Sequence, residues 1–393
     1  MTLPEDFTRY ATRLLGPAEA DEFLHSLQTE APVSLRWNPK ADRLRPSGPT
    51  PVAWCDTGLY LDRRPAFTLD PLLHAGCYYV QEASSMYLEQ ALRRYAAGAT
   101  VALDLCAAPG GKSTHARSLL PDDCLLVANE VVRPRSLVLA ENLTKWGHPA
   151  VVVTNNDPAD FAPLEDFFDL IVADVPCSGE GMFRKDPAAA AQWSPQAVEN
   201  CRLRQRRILT DIWPSLRPGG LMVYSTCTYN TAENEENVLW ASRELGADIL
   251  PLDSPPAWGV TGSLLPGADV PVSRFLPHRT RGEGFFLAVL RKHGDAPRCQ
   301  PARAASRKAK GRKGQTAAPS VPAKAVDAAL EGWLASPADF RPAMPGTDIC
   351  AFPARFAAEL EALQAVLRVL GAGIPLATPR GNSLLPAHGL ALS

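Results

Sequence analysis

Between Val101 and Arg291, short apolar runs alternate with stretches of helical periodicity, and this alternation limits the fold more than any other property of the chain. Runs at 101–105, 125–129, 150–154, 169–175, 221–225 and 285–291 read as strands. Segments near 113–120, 135–146, 195–216 and 233–245 read as helices, the third ending at Arg217-Pro218-Gly219-Gly220, a helix stop and turn. Strands alternating with helices predict an α/β fold with a parallel, doubly wound sheet. Such sheets bind ligands at the carboxyl ends of their strands. The Pro-Gly-Gly turn after Leu105, and Glu130, Asp157, Cys177 and Cys227, all fall at such ends. Five chemically useful groups therefore share one rim.

The modules around this unit read differently. Phe7, Tyr10, Ala11 and Leu14, then Phe23, Leu24 and Leu27, recur at helical spacing either side of Gly16-Pro17. Val33, Leu35 and Trp37 alternate with polar residues as in a strand, and 41–75 is irregular and proline-rich. Residues 294–325 carry Arg298, Arg303, Arg307, Lys308, Lys310, Arg312, Lys313 and Lys324 against Asp295, the composition of a basic disordered linker. That run is either a solvated tether or a strip that contacts RNA. Residues 326–393 regain apolar content and predict a small C-terminal domain.

Composition narrows the class. A chain of 393 residues that is 46% hydrophobic can bury one large core plus small appended modules. The net charge of −2 is unlike a protein that is basic throughout, so any nucleic-acid contact must come from local patches. Met1-Thr2-Leu3-Pro4-Glu5-Asp6 has no basic, apolar leader, and no run approaches a membrane span, so neither a signal peptide nor membrane attachment is expected. The nine cysteines form no CxxC pair. That pattern speaks against a disulfide framework or a metal site and for a reduced, cytoplasmic protein.

Gly110-Gly111-Lys112-Ser113-Thr114 looks like the tail of a phosphate-binding loop, but Cys106 stands where that motif needs glycine. The spaced glycines of a dinucleotide fingerprint are missing too. A tight turn after the first strand suits a smaller ligand, S-adenosyl-L-methionine, with Lys112 placed to pair with its carboxylate. Glu130 can accept from ribose hydroxyls, as acids at second strands do in dinucleotide folds. Asp157 can accept from an adenine amino group, or simply cap a helix.

Two thiols at neighbouring strand ends suit methyl transfer to C5 of a pyrimidine. C5 of cytosine is a poor nucleophile until a thiolate adds to C6 and loads the ring with electron density. An acid near N3 stabilises the charge that develops, and Asp174 stands three residues before Cys177. Polar neighbours set Cys177 (Asp, Pro, Ser, Gly) and Cys227 (Ser225, Thr226, Thr228) apart from the other cysteines, which read as small buried hydrophobes.

Cys106-Ala107-Ala108-Pro109-Gly110-Gly111-Lys112, Asp174-Val-Pro-Cys177-Ser-Gly-Glu-Gly and Ser225-Thr-Cys227-Thr resemble the Sun/Nop-type RNA cytosine-C5 methyltransferases. Gly181-Met-Phe-Arg-Lys-Asp-Pro187 and the segment Tyr78–Met86 resemble the bacterial RsmF-like branch, which modifies 16S ribosomal RNA. The likeness covers about residues 5–292, and parts of 371–392 also resemble the RsmF C-terminal region. It implies a Rossmann-like class I methyltransferase with a doubly wound mixed sheet. The implied layout is an N-terminal α/β RNA-binding segment (1–75), the methyltransferase domain (76–293), the linker (294–325) and the small C-terminal domain (326–393), with a further RNA-binding module in relatives.

The same resemblance implies that Cys227 is the nucleophile and that Cys177 assists product release. It implies cofactor contacts from residues 106–112, Glu130, Arg135, Asp157 and Asp174, and phosphate contacts from Arg36, Arg184 and Lys185. Arg202, Arg204, Arg206 and Arg207 read as rim residues or as surface ion pairs. The expected partner is RNA, as 16S rRNA or a 30S assembly particle, bound by a monomer; a cytosine inside a helix must be extruded to react. A catalytically silent assembly factor would lack one thiol, a small-molecule or protein methyltransferase would not need Cys227, and a transfer RNA cytosine-C5 methyltransferase is a further alternative.

Overall fold

A computed structural model describes residues 2–294, 323–380 and 383–393. The basic run expected at 294–325 lies almost entirely outside the described residues.

The N-terminal segment holds helices α1 (Glu5–Leu15) and α2 (Pro17–Ser26), then strands β1 (Val33–Trp37), β2 (Thr50–Pro51) and β3 (Gly58–Leu61), a short helix α3 (Pro71–His74) and strand β4 (Tyr78–Tyr79). The strands form an antiparallel sheet in the order β2-β3-β1-β4. β3 lies within the stretch expected to be irregular. Its Gly-Leu-Tyr-Leu is short, and pairing with β1, more than local pattern, makes it a strand.

The central unit runs α4 (Leu88–Tyr95), β5 (Val101–Asp104), α5 (Gly111–Leu119), β6 (Leu125–Asn129), α6 (Arg133–Trp146), β7 (Val151–Thr154), β8 (Phe168–Asp174), α7 (Pro187–Gln192), α8 (Pro195–Ile212), β9 (Leu216–Thr226), α9 (Glu235–Glu244), β10 (Ala247–Leu250), β11 (Ser273–Phe275) and β12 (Phe285–Lys292). Neighbours β9-β8-β5-β6-β7 are parallel, and β12 and β10 add antiparallel strands at one edge. The sheet is therefore mixed. Its two faces are buried separately. Leu103, Val127 and Ile171 pack against Ile208, Leu209 and Ile212 of α8, while Ala102, Leu126 and Val172 pack against Leu92 of α4, Ala116 of α5 and Leu139 of α6. Period-2 alternation along each strand feeds both layers.

The helix expected over 195–216 stops at Ile212, and Leu216 already pairs with Phe168. Leu221 pairs with Leu170, so residues 217–220 bulge opposite Asp169 alone. Gly219 takes a φ of +74°, which favours glycine there.

The C-terminal part contains α10 (Ala323–Trp333), β13 (Phe340–Ala343), β14 (Ile349–Pro353), α11 (Ala357–Val366), β15 (Val369–Ala372), β16 (Ile374–Arg380), β17 (Ser383–Pro386) and α12 (His388–Leu392). β13-β14-β16-β17 make a small sheet, whereas β15 pairs antiparallel with β7 and becomes an edge of the main sheet. Phe352, Leu360 and Leu363 share the core of the α8 face. No helix among the described residues is long and apolar enough to cross a membrane.

Candidate active site

The chain leaves β5 through a turn fixed to both neighbouring strands. Leu105 N donates to Val172 O at 2.9 Å and Ala107 N to Asn129 O at 2.8 Å. Gly110, at φ +115°, lets α5 start at Gly111. Residues 106–109, Gly111, Lys112 and Asp174 line one wall of a cleft, and Tyr79, Val80, Gln81 and Glu82 line the other. Glu130 is buried at the end of β6, where it accepts from Val132 N at 2.9 Å. Arg135 lies 3.5 Å from Glu130 and donates to Ala108 O at 2.7 Å, tying turn to acid. Val131 and Val132 beside it are exposed, an apolar surface for a flat ring.

These features fit an adenosyl ligand with a charged tail. Buried Asp104, absent from the sequence-based candidates, strengthens the fit. One of its oxygens accepts from Ser113 Oγ at 2.6 Å while Oδ1 has no partner in the protein. Burial pushes its carboxyl up to about 7. An acid immediately before the glycine turn was the signal for it. Asp157 caps the turn that follows β7, accepting from Ala159 N, and lies 3.8 Å from Arg207.

On the other side of the rim, Asp174 accepts from Lys112 Nζ at 2.9 Å and from Ser225 Oγ at 2.8 Å. Lys112 thus turns to Asp174. Burial works against its charge, but Asp174 outweighs burial and raises its pKa. Cys177 Sγ lies 3.2 Å from Cys227 Sγ, and both residues are partly exposed. The hydrogen bond to Cys227, with burial added, holds the Cys177 thiol well above its ordinary pKa.

The loops that carry the two thiols are stitched together. Ser178 and Thr228, each next in chain after its cysteine, share a hydroxyl hydrogen bond of 3.0 Å. Buried Glu180 accepts from Tyr229 N, Asn230 N and Trp193 Nε1. Buried Glu233 accepts from Ser178 N, Asn230 Nδ2 and Gln205 Nε2. No local spacing pointed to Glu180, Asn230, Gln205 or Glu233, because their partners come from elements up to 55 positions away.

The cationic candidates need correction. Arg36 is fully buried, donates to Gln81 Oε1, Thr114 Oγ1 and Gly111 O, and lies over Trp146, so it cannot reach a phosphate. Arg184 is likewise enclosed, donating to Glu283 at 3.0 Å and to Ser26 O and Gly282 O. Both arginines join the N-terminal segment to the central unit. Lys185 is 36% exposed and 3.7 Å from Glu283. Arg202 pairs with Glu199, Arg206 bonds Asn237, and Arg207 sits between Asp157 and Asp211.

Away from the rim, Cys55, Glu89 and His115 bring potential ligand atoms within 4.8 Å of one another. The donor set does not suit a metal. Burial pushes the Cys55 thiol up to about 12, His115 Nε2 is already paired with Glu89 at 3.1 Å, and Glu89 is also bonded to Arg93 and to Asp56 N.

The strand order and the turn after β5 define a Rossmann-like methyltransferase fold. A methyltransferase homologue from Pyrococcus horikoshii is 28% identical, with a TM-score of 0.62 over 74% of this chain and 95% of that one. NSun6 from the same organism, 22% identical with a TM-score of 0.62 over 74% of this chain and 99% of its own, shares the fold. Residues 95–291 match the model of 16S rRNA methyltransferase RsmB/F, and residues 3–83 match that of the N-terminal domain of 16S rRNA methyltransferase RsmF. The chain belongs to the RsmB/F family. It is 36% identical over 293 residues to the ribosomal RNA small subunit methyltransferase F of Escherichia fergusonii, covering 69% of this chain and 59% of that relative's length.

Proposed function

We propose that this chain is an S-adenosylmethionine-dependent methyltransferase that forms 5-methylcytosine in small-subunit ribosomal RNA. The observation that carries the reading is the pair of sulfurs 3.2 Å apart beside Asp174. A methyltransferase acting on an exposed nucleophile needs no second thiol; covalent activation of a pyrimidine ring uses one to attack and one to release.

Residues 106–111 and Glu130, with Arg135, Asp157 and Asp104 around them, would hold the cofactor. When bound, it supplies an electrophilic methyl group on sulfonium sulfur. Cys227, as its thiolate, adds to C6 of the cytosine, which leaves C5 electron-rich, and C5 becomes the ring atom that takes this methyl group. Asp174, held by Lys112 and Ser225, delivers a proton to N3 as negative charge develops there and takes it back when the ring is restored. Once Cys227 is a thioether its hydrogen bond with Cys177 is lost, and Cys177 gives its proton to solvent. Cys177 then takes the proton from C5. The C5–H electron pair forms the C5–C6 double bond, the C6–S bond breaks, and Cys227 leaves as thiolate. One proton reaches solvent per turnover, and the thiol pair returns to its starting state.

RNA is the partner in this reading. Residues 1–75 serve as its RNA-binding segment, 76–293 as the methyltransferase domain and 326–393 as a smaller C-terminal unit. Bisulfite mapping of cytosines in small-subunit RNA, with and without the gene, tests the function. An unchanged map would remove it.

A further inference from the structure

Two buried carboxylates lie behind the thiol pair, and the reaction above uses neither. Glu233 stands at the start of the turn into α9, fully buried. Its Oε2 accepts from Ser178 N at 3.0 Å and from Gln205 Nε2 at 2.7 Å. The same Gln205 amide donates to Pro176 O at 3.0 Å. One carboxylate oxygen therefore fixes the backbone on both sides of Cys177, directly at residue 178 and through Gln205 at residue 176. Its other oxygen accepts from Asn230 Nδ2 at 2.8 Å, and Asn230 also donates to Thr228 Oγ1, next to Cys227. Glu233 thus reaches both cysteine loops.

We propose that Glu233 is a positioning residue for the release step, clamping the chain around Cys177 so that this thiol receives the C5 proton. The assignment rests on the covalent reading given above. Glu233 does not touch the ring; it acts through Cys177 in two ways. It limits where the sulfur sits, and its negative charge makes Cys177 a stronger base. A buried acid with several donors and no paired cation is costly to ionise. Among the described residues no Lys or Arg forms an ion pair with Glu233. The titratable groups around it are Glu180 and Cys177 from the loop after β8, Cys201 from α8 and Tyr224 from β9. Burial, and then the charge of Glu180, push the Glu233 carboxyl up to about 7. The clamp is therefore complete only when Glu233 is ionised, above neutral pH. Release is expected to quicken as pH rises through that value.

The test separates attack from release. Full-length protein is mixed with cofactor and either an unmodified small-subunit ribosomal RNA transcript or the same transcript containing 5-fluorocytosine, and protein–RNA adducts are read on denaturing gels. Glu233→Gln should form the fluorocytosine adduct as fast as wild type. On ordinary RNA it should release about 10- to 100-fold more slowly, so that adduct accumulates. Its release rate should also lose the rise through about pH 7 expected of wild type. Should Glu233→Gln not fold, Gln205→Ala, which frees the Pro176 side and takes one donor from Glu233 but leaves Ser178 N on the carboxylate, should show the same slowing to a smaller degree. Wild-type release and pH profile in whichever of these variants folds would overturn the proposal while leaving covalent catalysis intact. No fluorocytosine adduct in wild type would overturn the covalent reading itself, and the proposal with it.

Discussion

Cys177 and Cys227 place their sulfurs 3.2 Å apart although 50 positions separate them in the chain. The contact exists because β8 and β9 are parallel neighbours in register, with Asp174 paired to Ser225, so the two strands end at the same level. The hydrogen bond across that contact, with burial added, holds the Cys177 thiol well above its ordinary pKa.

The two cysteines should fail differently. Cys227→Ala should abolish both methylation and adduct formation. Cys177→Ala should still attack and should trap RNA in a band resistant to denaturant. Trapping by Cys227→Ala with a dead, adduct-free Cys177→Ala would reverse the roles. Full activity in both would make the thiols core residues only.

Cofactor affinity should depend on Glu130. Its carboxylate is buried at the strand end beside exposed Val131 and Val132. Glu130→Ala should weaken S-adenosylmethionine by roughly 1–3 kcal/mol through loss of a charged acceptor for the ribose. Unchanged affinity by calorimetry in a folded variant would remove Glu130 from the site.

Two carboxyls should pull stability down between about pH 4 and 7. Asp104 and Glu233 keep their protons in the folded protein up to about 7, mainly through burial, whereas in the unfolded chain they ionise near 4. The folded state binds more protons in that window, so the unfolding free energy drops as pH rises through it. His115 and His148 contribute the opposite slope, because burial lowers each to about 4 and the unfolded chain takes up their protons first. Subtracting wild type from a variant cancels both histidines. Asp104→Asn should gain on wild type by on the order of 1–3 kcal/mol from pH 4 to pH 8. Thermal melts across that range giving a constant difference would contradict the shifted carboxyl.

Arg36 should matter for folding and not for RNA. Arg36→Ala leaves Gln81, Thr114 and Gly111 short of a donor and uncovers Trp146. A loss of roughly 2–4 kcal/mol in unfolding free energy is expected. The slope of log affinity for RNA against log salt should stay the same, since one lost phosphate contact would reduce it by about 0.7 on single strands. A reduced slope would restore Arg36 to the RNA surface.

Much of the fold was legible because hydrophobic period and turn chemistry are local. The runs at 101–105, 125–129 and 169–175 could be buried only as strands between helical layers, and Pro109-Gly110-Gly111 could only be a turn. The rim followed, since a doubly wound sheet carries its strand ends to one side. β15 escaped notice for the reverse reason. Val-Leu-Gly-Ala at 369–372 has little strand character alone and becomes one by pairing with β7, more than 200 positions earlier.

The sequence by itself thus determined the layer architecture, the cofactor turn and the two thiols, because each is written in contiguous residues. Tertiary structure alone decided what the charged side chains do. Arg36 and Arg184 looked like phosphate ligands until packing of the N-terminal segment enclosed them. Glu180 and Glu233 are buried only because the loops after β8 and β9 come together around them. Charge is a property of the residue, but its desolvation and its partners belong to the assembled fold.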